Sequence, residues 1–191
     1  MVIRSLAAIV LVLAACAPQP ATLSGTMLDA KDAPDFTLTD GLTGAAVTLS
    51  SLRGNVVALA FLYTRCPDVC PLTAAQFRAT QKALGADAAR VRFVAVSVDP
   101  DGDTREAVRE FSARHDLIGS WSYLIGTRAQ LQQVWSLYGI GAFAAPGGGP
   151  SVSHNDAVYL IDRRGREREI VHSDIAVGDL VTDLRTLLNE R

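Results

Sequence analysis

Asn55-Val-Val-Ala-Leu-Ala-Phe-Leu-Tyr63, followed directly by Thr64-Arg-Cys-Pro-Asp-Val-Cys-Pro71, is the stretch around which the rest of the chain can be ordered. Its first nine residues are apolar on both parities, which predicts a central strand covered on both faces. Leu72, Ala75, Ala79 and Ala83 then fall along one side of a predicted helix over 72–84, and Val91-Arg-Phe-Val-Ala-Val-Ser-Val98 predicts a second buried strand. Asp103-x-x-Glu106 has the form of a capping box that opens a helix through Val108 and Phe111. Tyr123-Leu-Ile125 suggests a short third strand, and Thr127-x-x-Gln130 a second capping box. Leu131, Val134, Trp135 and Tyr138 give the amphipathic face of the helix it opens, which stops at Gly139.

Upstream, Asp35-Phe-Thr-Leu-Thr39 and Val47-Thr-Leu49 alternate around a turn-rich 40–44, so the domain opens on a β-hairpin. Downstream, Ala157-Val-Tyr-Leu-Ile161 and Glu169-Ile-Val171 form a terminal hairpin around Gly165, and Val177 to Leu188 a last helix. Strand-helix units followed by a hairpin and a helix predict an α/β domain of three layers, a mixed central sheet flanked by helices. In such sheets ligands bind beyond the carboxyl ends of the parallel strands, which points to the loop after Tyr63.

The chain has 191 residues, 49% of them hydrophobic and 20% charged, with a formal net charge of -2. One globular domain is expected, and nucleic acid is excluded as a partner because no run of like charge marks a basic face. Arg4 is the only charge before Asp29, and Leu6 to Ala14 is an apolar run of signal-peptide length, too short to span a bilayer. It ends in Leu13-Ala-Ala-Cys16, which resembles the lipobox of bacterial lipoproteins. Residues 1–15 are therefore expected to be a signal peptide, Cys16 the lipidated first residue, 16–31 a flexible tether, and 32–191 the folded domain. The anchor places the domain in the bacterial cell envelope, facing the periplasm or the outer side of the cytoplasmic membrane.

A chain of this size buries about 70% of its unfolded surface without cross-links, so its cysteines ask for a chemical reason. Cys66 and Cys70 sit where a strand gives way to a helix. The helix N-terminus and Arg65 favour negative charge there, so at least one thiol is expected to have a lowered pKa. Two thiols four apart can close a disulfide or converge on a metal. They do not complete a tetrahedral zinc site, whereas copper(I) accepts two thiolates and one imidazole. Of the three histidines, His115 reads as a surface residue. His154, just before the strand at Ala157, and His172, at the far end of the hairpin, both come to the cysteine end if that strand runs antiparallel to the central one.

Tyr-Thr-Arg-Cys-Pro-Asp-Val-Cys-Pro at 63–71, Val-Ser-Val-Asp-Pro at 96–100 with Asp103-Thr104, and His154 ahead of Tyr159-Leu-Ile-Asp162 together resemble the Sco/SenC family, over about residues 32 to 190. The resemblance implies a thioredoxin-like fold and a copper site of Cys66, Cys70 and His154, holding copper(I), with copper(II) left open. It implies a metallochaperone that helps assemble the binuclear copper centre of cytochrome c oxidase subunit II by ligand exchange, served by an upstream copper donor and a thiol reductant. Asp68 and Asp156 are candidates for tuning the ligands through hydrogen bonds. Asp99 and Asp103 match acidic positions of the family but read as a strand-end residue and a helix cap. Arg65 stands where relatives often carry His, and the 139–150 loop is unusually rich in Gly and Ala.

The alternative is an enzyme, a thiol-disulfide oxidoreductase that uses Cys66 and Cys70 as a redox pair on the acceptor's cysteines. The three-residue spacing, and the lack of a Pro directly before the strand at Ala157, set it apart from thioredoxin. A peroxidase of the peroxiredoxin kind fits less well, because Thr64-Arg65-Cys66 is one residue short of Thr-x-x-Cys.

Overall fold

A computed structural model of the chain describes residues 22–141 and 156–190. Cys16, His154 and the signal segment lie outside the described residues. The elements are β1 (Thr26–Met27), β2 (Thr37–Asp40), β3 (Ala46–Thr48), β4 (Val56–Leu62), α1 (Val69–Leu84), β5 (Val91–Ser97) and α2 (Arg105–Arg114), then β6 (Ser122–Ile125), α3 (Arg128–Leu137), β7 (Val158–Ile161), β8 (Glu167–Val171) and α4 (Val177–Asn189). The strands form one mixed sheet in the order β1-β8-β7-β4-β5-β6-β2-β3, with β4, β5 and β6 parallel and the remaining pairings antiparallel.

The central strand is as expected: all seven residues of β4 are buried. Along β4 and β5, Ala58 pairs with Phe93 and Phe61 with Val96, so alternate residues serve opposite faces. Phe93 meets Phe77 of α1 on one face, where α1 also packs against α4. On the other face Phe61, Tyr138 and Tyr159 form an aromatic cluster with centroids 5.3–6.1 Å apart, which seats the end of α3. Their polar tips are satisfied, since Tyr159 donates to Tyr138 O at 2.7 Å and Tyr138 to Pro34 O at 2.8 Å. The capping box on α3 is present, with Thr127 and Gln130 bonding reciprocally.

Two expectations need correction. The cap of α2 is Thr104, whose side chain accepts from Ala107 N, and not Asp103. The ordered domain also begins before Asp32. Thr26 pairs with Ile170 and Met27 with Glu169, so β1 is an edge strand on β8. Ser24 donates to the buried Asp183, and Gly25 N to the buried Glu169. A carboxylate pair beneath the edge, rather than any local periodicity, holds this segment.

That attachment carries a pH dependence. Burial pushes the Glu169 carboxyl up to about 7 from 4.5, with the Gly25 N–H opposing the rise and Asp183 adding to it. An unfolded chain releases this proton near 4.5 while the folded chain keeps it, so stability falls as pH rises from about 4.5 to 7 and levels beyond. Glu169→Gln is expected to remove this slope, a difference of about 2–3 kcal/mol across the window. Denaturant unfolding of both proteins at pH 5 and pH 8 measures it; parallel pH profiles would refute it.

Candidate metal centre

The chain leaves β4 at Leu62 and turns, with Cys66 N donating to Tyr63 O at 3.2 Å. Helix α1 begins at Val69, earlier than its apolar pattern suggests, and takes in Cys70 and Pro71. A proline is tolerated in the first turn because N–H groups there lack partners within the helix. Asp68, at the N-cap position, makes no side-chain cap bond and is exposed. The sulfur of Cys66 serves instead: Cys70 N donates to Cys66 Sγ at 3.5 Å. Cys66 is 8% exposed and Cys70 fully buried, and no disulfide joins them.

At Cys70 the surroundings oppose a lowered thiol pKa. Burial is the largest influence on Cys70 and pushes its pKa up, with the hydrogen bond between the two thiols adding to the rise and a Tyr63 backbone contact opposing it. The helix N-terminus does not overcome this loss of solvation. Tyr63 is pushed up to about 12, first by burial and then by its hydrogen bond to Cys66.

Asp103 supports the loop from behind. Buried, it accepts from Thr64 N and Thr64 Oγ1, both at 2.8 Å, from Ser97 Oγ at 2.6 Å and from Tyr123 OH at 2.9 Å. It thus joins the loop after β4 to the end of β5 and the start of β6. Burial raises its pKa against these four bonds. Asp99 holds the loop's outer side, taking Arg65 Nη2 at 2.7 Å and Nε at 3.2 Å on one oxygen and Gly102 N at 3.0 Å on the other. A Cβ at Gly102 would run into this ion pair. The acidic pair is therefore more than a cap and a strand end; Thr104 beside Asp103 was the sign that the capping role had another candidate.

β7 runs antiparallel to β4, Val158 opposite Ala60, and Val158 also faces Val171 of β8. The start of β7 and the end of β8 thus share the end of the sheet to which β4 delivers the cysteine loop. Asp156 accepts from Ser173 N at 3.0 Å and Ser173 Oγ at 2.7 Å, and bonds His172 Nδ1 at 2.8 Å. Burial alone would raise Asp156, but these bonds outweigh it and hold its pKa at about 2. The chain is therefore pinned two residues after His154. His115 is elsewhere, its ring 4.6 Å from that of Phe111, and half-buried rather than solvated.

In sum, the described residues bring together two soft sulfur donors, a buried carboxylate that braces their loop, and a second carboxylate that fixes the strand following His154. Such a donor pair suits a soft, thiophilic metal ion or a reversible disulfide.

Comparison with known proteins gives a consistent picture. A family described as SCO1/SenC matches residues 25–189. The SCO1 protein homolog of Bacillus subtilis is 29% identical over 147 residues, 75% of this chain and 76% of that one. Among solved structures, ScoI of Bradyrhizobium japonicum with copper bound is similar at a TM-score of 0.75 and 31% identity, covering 83% of this chain and 100% of that one. BsSco, a member of the Sco family of cytochrome c oxidase assembly proteins in which a disulfide switch was identified, is similar at a TM-score of 0.69 and 25% identity, covering 87% and 99%.

Proposed function

The chain belongs to the SCO1/SenC family, and from that premise we propose that it is a copper metallochaperone, with copper(I) held by the thiolates of Cys66 and Cys70 and the imidazole of His154. The cargo passes by ligand exchange to the binuclear copper centre of cytochrome c oxidase subunit II, after loading from an upstream copper donor. The observation that carries the reading is the meeting of Cys66 and Cys70 on one turn at the end of β4, with the strand after His154 starting at that same end. Two soft sulfurs and one nitrogen make a site of low coordination number, which leaves room for an acceptor to attack the metal before the donor lets go. Asp156 helps by fixing the chain next to His154, and Asp103 by fixing the loop that carries Cys66.

The thiol-disulfide oxidoreductase remains the second reading, favoured by two thiols within hydrogen-bonding range of each other. The burial that raises Cys70 works against its serving as the attacking thiolate. Among the described residues no helix is long and apolar enough to cross a membrane. Attachment is proposed through a lipid on Cys16 after removal of 1–15, holding the domain in the cell envelope.

A copper(I) competition titration of the reduced protein, residues 22 to 191, tests the ligand set. His154→Ala is expected to weaken binding at least tenfold, about 1.4 kcal/mol, with one copper bound tightly by the parent. Weak and equal binding by both would overturn the copper reading and turn attention to the reduction potential of the cysteine pair.

A further inference from the structure

At the end of the sheet where β4 and β5 begin, opposite the cysteines, a cavity of about 600 Å³ opens between the second half of α1, the first residues of β5 and the loop before β6. That volume lies in the range of sites for small organic ligands. Arg78 and Lys82, one turn apart on α1, and Arg92 on β5 line it, and no carboxylate does. Among the described residues none of the three forms an ion pair. Cations of one sign in a concave wall reinforce one another's potential.

Two side-chain atoms behind the α1 wall are closed off from solvent. Arg78 Nε and Gln81 Oε1 are buried without hydrogen-bond partners, although Gln81 Nε2 donates to Ser120 O at 2.8 Å. Phe93 and Trp121, both buried, add an aromatic wall.

We infer that this cavity binds a small organic anion, its carboxylate or phosphate set against Arg78 and Lys82 and its apolar body against Phe93 and Trp121. Seven residues of strand, about 20 Å, separate it from the cysteine loop, so the inference stands apart from the copper reading.

Isothermal titration of the full chain in zwitterionic micelles with phenyl phosphate, benzoate, inorganic phosphate and benzyl alcohol tests it. At least one of the two aromatic anions is expected to bind with one-to-one stoichiometry, at least tenfold tighter than inorganic phosphate, while benzyl alcohol does not bind. Phenyl phosphate alone would identify a phosphate ligand and benzoate alone a carboxylate. Reversing the exposed cation, Lys82→Glu, is expected to cost at least tenfold with copper binding unchanged, and 0.5 M salt to weaken the parent's binding. Absence of binding by both aromatic anions at millimolar concentration, or equal affinity in the charge-reversed chain, would overturn it.

Discussion

Closing Cys66 and Cys70 into a disulfide is expected to abolish copper binding. Oxidation converts two potential thiolates into a neutral S–S bond and leaves a single imidazole, too little to hold copper(I) against a competing chelator. The expected loss is at least a thousandfold in affinity, about 4 kcal/mol, and Cys70→Ser should come close to it. The reduced protein should also bind in a proton-coupled manner. Burial raises the Cys70 thiol, so at neutral pH it is protonated and loading must release that proton. Apparent affinity should therefore rise about tenfold per pH unit between pH 6 and 8 for each proton displaced. Competition titrations of reduced and oxidised protein across that range measure both effects. Equal affinity in the two redox states would remove the cysteines from the site, and a flat pH profile would remove the protonated thiol from the account.

Asp103→Ala is the substitution expected to cost most in stability. Four donors, two from Thr64 in the cysteine loop and one each from Ser97 of β5 and Tyr123 of β6, converge on one buried carboxylate. Deleting it leaves Thr64 N–H, two hydroxyls and the Tyr123 phenol buried without an acceptor. A loss of about 3–5 kcal/mol follows, from the unpaired groups and the space left behind. Denaturant unfolding should show this as a lower midpoint, with Asp103→Asn intermediate because one oxygen acceptor survives. A loss below about 1 kcal/mol would mean that water replaces the carboxylate, and that the loop is braced elsewhere.

The parts of the fold that the residues announce are those whose reasons are local. The run 55–63 is apolar on both parities because β4 is covered on both faces, and Thr127 and Gln130 cap α3 from within a single turn. What stayed hidden depends on partners far along the chain. β1 is two residues of no particular pattern, made a strand by Glu169 and Asp183 about 150 positions away. Asp103 and Thr104 are adjacent and equally able to cap a helix; only the tertiary position of Thr64 and Tyr123 decides which one turns inward. The cysteine pair was legible from its spacing after a buried strand, but the rise in the Cys70 pKa was not. The field of a helix terminus is a sequence-level expectation, whereas the loss of water around Cys70 comes from surrounding packing.

The edge strand β1 also sets a leash. Its register on β8 brings Ser24 level with His172, at the end of the sheet that holds the cysteines. With the lipid proposed on Cys16, only seven residues, 17 to 23, are left to span the gap. Fully extended, they reach about 25–30 Å, roughly one domain diameter. A lipid there would keep the domain within about one tether length of the lipid headgroups. On that proposal, an acceptor site in a membrane complex would be reachable only if it opened at that same height, and encounter would become a search in two dimensions rather than three.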